Sequence, residues 1–98
     1  MTLPDLLAAL QSRRSTIAAE GATALYLYGS RARGDHRADS HVDLFVDCDP
    51  DGSFSLLNLA GVKIIADEAL GLEVHVTTRS SVNPRLRTRI ESEAVQVF

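Results

Sequence analysis

The chain has 98 residues, a net charge of -3, 45% apolar residues and 23% charged ones. That length sets one domain, 1–98, with one core burying roughly 60–65% of the unfolded surface, and the composition is that of an ordinary soluble protein. No apolar run approaches the ~20 residues of a membrane-spanning helix, and an acidic whole argues against a general binder of duplex DNA.

The N-terminus holds Asp5 and no basic stretch, so it does not read as a secretory leader. Cys48 is the only cysteine, which excludes an internal disulfide and fits a cytoplasmic setting. Basic charge is clustered despite the net sign. Arg31, Arg33 and Arg37 fall in one stretch, and Arg79, Arg85, Arg87 and Arg89 in another. The planar fork of Arg suits phosphate and carboxylate partners, although such a cluster also reads as a solvated surface of mixed charge.

In chain order, Thr2-Leu3-Pro4-Asp5 opens a helix. Leu3, Leu6, Leu7, Leu10, Ile17 and Ala18 form its apolar stripe, and Gly21 stops it. Ala24 to Tyr28 alternates as a first strand, with Tyr26 and Tyr28 packing on one side of the sheet. Gly29-Ser30 ends that strand, a short helical turn around Ala32 follows, and Gly34 to Ser40 is a polar loop. Val42 to Asp47 is a second strand. Its period of two places His41, Asp43, Phe45 and Asp47 on one face and Val42, Leu44 and Val46 on the other. The turn cluster Asp49 to Ser53 follows, with Asp47 and Asp49 read as a solvated acidic corner.

Ser55 caps a helix that runs to about Leu70, with Leu56, Leu57, Ala60, Ile64 and Ala69 read as its buried stripe and Gly71 as its end. Leu72 to Thr77 is a third strand, with Glu73 and His75 turned away from the core. A helix over roughly Arg85 to Glu93 and a short strand or tail, Val95 to Phe98, complete the chain. This order predicts an α/β (α+β) two-layer sandwich, with a small mixed sheet of about four strands and helices on one face. A right-handed crossover through the second long helix would join two parallel strands. A strand near the C-terminus could also offer an edge for a homodimer.

The polar centre carries the chemistry. Gly29 lets backbone approach a ligand closely, exposed amides after it can face phosphate oxygens, and Asp43 can hold a divalent cation. Gly29-Ser30-Arg31-Ala32-Arg33-Gly34, followed by Ser40-His41-Val42-Asp43-Leu44, resembles the signature of the minimal nucleotidyltransferases, small relatives of the polymerase-beta-type superfamily. The family pattern is Gly-Ser-x-Ala-x-Gly, a short variable stretch, then Ser-Asp-x-Asp-Leu. Nearly the whole chain follows the family's order of elements.

The resemblance implies metal-dependent transfer of AMP from ATP to a partner protein. It also implies a role as the antitoxin of a two-gene module, paired with a helical HEPN-type ribonuclease toxin. Gly29 and Ser30 would hold the triphosphate, and Asp43 would be the catalytic acid binding Mg²⁺ or Mn²⁺. From their location, Arg31 and Arg33 could neutralise phosphate charge. The chain departs from the pattern at two metal-holding acids: the first is His41, and the third falls at His75. Mg²⁺ prefers oxygen ligands, so catalysis is expected to be impaired.

Three readings of His41, Asp43 and His75 stay open at this point. They are imidazoles standing in for the cation, a 2-His-1-carboxylate metal site, or strand residues left after catalysis was lost. Glu73 is a poor substitute acid, about 7 Å along the strand from His75. A non-catalytic nucleotide- or protein-binding module is the alternative to the enzyme.

Overall fold

The computed structural model describes residues 1–98. Thr2 caps α1 (Leu3–Gln11) through a reciprocal pair of hydrogen bonds with Asp5, which satisfies two backbone donors that the helix start would leave open. The long first helix expected to Gly21 is two helices. A turn at Ser12 and Arg13 separates α1 from α2 (Arg14–Ala19). The break lets Leu6 and Leu10 from one helix and Ile17 from the other enter the same core.

β1 (Ala22–Tyr28) leads into the single turn α3 (Ser30–Arg33), and β2 (Val42–Cys48) follows the polar loop. α4 (Leu56–Leu70) is closed at its start by Ser55 and Asn58, which bond each other's backbone. It is closed at its end by Gly71 at φ 64°. β3 (Val74–Thr78), a short 3-10 turn (Arg79–Ser81), α5 (Arg87–Glu93) and β4 (Val95–Gln96) complete the fold.

The sheet is mixed, with strand order β3-β2-β1-β4. β1 runs antiparallel to both neighbours. β2 and β3 are parallel and joined through α4, as a parallel pair requires a long crossover. Leu25 and Leu27 on β1, Val42, Leu44 and Val46 on β2 and Val74 on β3 share one buried face. α1, α2 and α4 contribute Leu6, Leu10, Ile17, Val62, Ala66 and Leu70 to the same cluster. This is the two-layer sandwich that the element order predicts. α5 stands apart from that layer, its side chains bordering the opposite face beside Tyr28.

The buried stripe of α4 differs from the sequence expectation. Val62, Ala66 and Leu70 face the core, whereas Leu56 and Leu57 are more than four-fifths exposed and Ile64 is 57% exposed. Ala60 is exposed as well, and Ala69 is half-buried. Gly61 has a positive role here. A Cβ at that position would collide with the Glu20 carboxylate, and Glu20 also accepts a hydrogen bond from Asn58 Nδ2 at 3.1 Å. The missing side chain leaves room for the Glu20 carboxylate beside α4.

Candidate functional site

The open face of the sheet carries Tyr26, Tyr28, Asp43, Phe45, Asp47, His75 and Thr77 by strand alternation. Its middle is aromatic: Tyr26 stacks on Phe45 at 4.8 Å between ring centroids, and Tyr28 tilts against Phe45 at 5.7 Å. The Asp47 end is closed by Arg79, which holds Asp47 by two hydrogen bonds of 2.7 and 3.0 Å and reaches Glu91 at 2.8 Å. Its guanidinium also lies over both Phe45 and Tyr26. Hydrogen bonding to Asp47 raises the affinity of Arg79 for its proton above the ordinary arginine value. Asp47 is therefore an ion-pair partner and not the solvated acidic corner that the sequence suggests. Asp49 is exposed, as expected.

The Asp43 end differs. Parallel pairing sets Asp43 directly beside His75, and His41 lies two residues before Asp43. His41 Nε2 is 3.0 Å from Asp43 Oδ1. The rings of His41 and His75 stack at 4.1 Å and 13°. One ligand atom from each of His41, Asp43 and His75 lies within 4.8 Å of the others. Glu73 lies on the outer side of this group, with Oε1 3.3 Å from His75 Nε2. The donor set is thus two imidazoles and one carboxylate. It fits Mg²⁺ poorly, because that ion demands a near-octahedral set of oxygens.

Gly29 roofs the carboxylate. Its backbone, at φ 77° and ψ -157°, lies in a region that only glycine populates readily. A Cβ there would meet Asp43 Oδ2 at 2.5 Å. The turn therefore brings bare backbone against the acid. The Gly29 carbonyl accepts from the amides of Ala32 and Arg33 at 3.1 Å each, starting α3. Gly34, in the left-handed region, closes it.

A cavity of about 400 Å³ opens over these groups, lined by Tyr28, Gly29, Ser30, Arg33, Ser40, His41 and Asp43 and, across from them, by Leu86, Arg89, Ile90 and Glu93. Arg33 bonds Asp35 and Glu93 at 3.0 Å each, and Arg89 bonds the same Glu93 at 2.9 Å. Hydrogen bonds from Arg89 and Arg33 hold the Glu93 carboxyl below its ordinary pKa. Two arginines thus converge at the mouth of the cavity. Sequence reasoning missed Arg89, Glu93, Leu86 and Ile90. The run of arginines was visible, but the docking of α5 against this face was not.

Arg31 corrects the expectation that it shares the role of Arg33. Its side chain is buried at 4% exposure and donates from one terminal nitrogen to the Ser40 carbonyl at 2.9 Å. It ties down the loop just before His41 and presents no charge to the cavity.

Comparison with known proteins agrees with this geometry. The model of the family described as "Nucleotidyltransferase domain" matches residues 6–97. Over 72 residues the chain is 40% identical to a Methanocaldococcus jannaschii protein named "Putative protein adenylyltransferase MJ0435", covering 74% of this chain and 75% of that one. A second protein of the same organism, "Putative protein adenylyltransferase MJ1379", is 31% identical and covered to 72%, as is this chain.

Among solved structures, "Structure of putative minimal nucleotidyltransferase" superposes with a TM-score of 0.73 at 32% identity, over 97% of this chain and 95% of that one. A toxin-antitoxin structure with AMP-PNP gives 0.68 at 15% identity, over 90% and 72%, which is a likeness of fold. With the Gly29-Ser30 turn, the acid at Asp43 and the order of strands all in place, this chain belongs to the nucleotidyltransferase domain family.

Proposed function

We propose that the chain binds ATP in the cavity between Gly29-Ser30 and Arg89, and that its capacity for nucleotidyl transfer is strongly reduced. One observation carries this reading: of the three potential metal ligands that cluster around Asp43, only Asp43 is a carboxylate, and His41 and His75 are the others. Phosphoryl-type transfer is driven mainly by fixed charges that stabilise the transition state. Without two of the acids that hold the ions, the rate is expected to fall by several orders of magnitude. Binding needs less. Ser30 and the bare backbone at Gly29 line the cavity, and Arg33 and Arg89 stand at its mouth, where a triphosphate would compete with Glu93 for them.

The test is titration calorimetry with ATP in Mg²⁺, in Mn²⁺ and in EDTA, on the native protein and on Asp43→Ala. The mass of a partner protein incubated with both is measured alongside. Binding with at most a trace of added AMP supports the reading. Rapid addition of AMP refutes the impairment, and no binding under any condition refutes the nucleotide site.

A second reading, a protein-binding module of the antitoxin kind, is favoured by α4. Leu56, Leu57 and Ile64 leave apolar side chains on its outer face, with exposed Ala60 between them. A contiguous apolar face of this kind suits a helical partner such as a HEPN-type toxin. Leu57→Glu should then abolish co-purification with that partner without changing ATP binding.

A further inference from the structure

We infer that His41, Asp43 and His75 form a binding site for a single borderline transition-metal ion, of the Zn²⁺ or Co²⁺ class, in place of the magnesium expected from three acids. The inference rests on reading this cavity as the functional site, but it needs no nucleotide. The strand register brings the three donors together. Asp43 and His75 are paired across β2 and β3, and His41 shares their face. Their ligand atoms lie within 4.8 Å of one another, and bonds of ~2.1 Å need them at roughly 3.3 Å. Binding would close that difference by opening the stacked imidazoles around the ion.

Chemistry sets the choice of metal. Imidazole nitrogen suits zinc, cobalt, nickel and copper, while carboxylate and water suit magnesium. Two nitrogens and one oxygen leave positions open for water or a phosphate oxygen. The donors are also accessible: the His41 and His75 side chains are 47% and 52% exposed and Asp43 is 20% exposed. Glu73, 3.3 Å from His75 Nε2, is the kind of outer carboxylate that orients a histidine bound to the metal through its other nitrogen, Nδ1. The remaining histidine, His36, belongs to the polar loop and is not in this group.

The experiment is a titration of EDTA-stripped protein, without nucleotide, using Co²⁺ followed by visible absorption and Zn²⁺ and Mg²⁺ followed by calorimetry. The expected result is one equivalent of Co²⁺ or Zn²⁺, bound at least ten-fold more tightly than Mg²⁺. His75→Ala and His41→Ala should each weaken Zn²⁺ at least ten-fold. His36→Ala and Cys48→Ser should leave it unchanged. The double variant His41→Asp with His75→Asp should strengthen Mg²⁺ binding and narrow the gap between Zn²⁺ and Mg²⁺ at least ten-fold, a gain that a loss of folding could not mimic. Equal affinity for Zn²⁺ and Mg²⁺, or Zn²⁺ affinity unmoved in His75→Ala, overturns the inference. ATP binding that persists in EDTA alongside such a failure leaves the nucleotide reading standing. Tight Zn²⁺ binding without any ATP binding does the reverse.

Discussion

β2 carries an acid near each end of one face, and the two are treated in opposite ways. Asp47 is gripped at both oxygens by Nε and Nη2 of one guanidinium, and that group itself lies over Phe45 and Tyr26. Asp43 has only an exposed imidazole at 3.0 Å, a second imidazole beside it and bare glycine backbone above. The first acid is satisfied and its surroundings hold the sheet face together. The second, although the less exposed of the two at 20% against 31%, has no guanidinium partner and lies under bare glycine backbone. On one strand, completeness of partners separates structure from site better than residue type does.

The largest effect should come from the turn. Gly29→Ala forces a Cβ into a region that tolerates none and into Asp43 Oδ2, so a loss of about 3 kcal/mol in unfolding free energy is expected. ATP binding should vanish with it. Denaturant melts would check the first and calorimetry the second. A loss below about 0.5 kcal/mol would mean that the turn relaxes easily and that the Asp43 end does not depend on bare backbone at Gly29.

Next comes the clamp. Arg79→Ala removes a two-point ion pair and two cation–π contacts, each of ~0.5–1 kcal/mol at a partly exposed site. About 2 kcal/mol of stability should go. Metal and nucleotide binding at the far end of β2 should be kept. If Arg79→Ala costs nothing, the Asp47 end is a surface pair like any other.

Asp43→Asn is the converse. A partly exposed His–carboxylate pair contributes ~0–1 kcal/mol, and the isosteric amide keeps the shape of the side chain. Thermal melts should move little, within about 0.5 kcal/mol either way, while metal-dependent binding is lost. A cost well above that would make Asp43 a second Asp47 and erase the contrast.

Much of the contrast was legible in the sequence. Alternation put His41, Asp43 and Asp47 on one face, and the Gly29-Ser30 turn announced itself after the first strand. Partnership was not legible. Arg79 lies 32 residues after Asp47, and no local spacing joins them. Arg31 and Arg33 differ by two positions on one helical turn. One is buried and the other is at the cavity mouth, a difference set by packing. α4 is apolar nearly all round, so Leu56-Leu57-Ala60-Ile64 and Val62-Ala66-Leu70 are both plausible stripes. Only the sheet beneath decides which is buried. The turn that divides α1 from α2 carries neither glycine nor proline at Ser12-Arg13, so no breaker marked it.

The smallest effect concerns how the Asp43 end is covered. α5 is tied across the cavity by Glu93, which accepts from both Arg33 and Arg89. Its folded pKa is lowered by those bonds, so the contribution is complete above the unfolded carboxyl value and is lost as pH falls through the folded one. The native protein should therefore be more stable than Glu93→Gln at pH 6, and the difference should shrink as pH falls below the ordinary carboxyl range. Hydrogen exchange of the α5 amides should quicken over the same acid window, while amides beside Arg79 should respond less, because the Phe45 and Tyr26 rings support that guanidinium without titrating. Parallel acid loosening at both places would show that the two ends of β2 are held by the same kind of force after all.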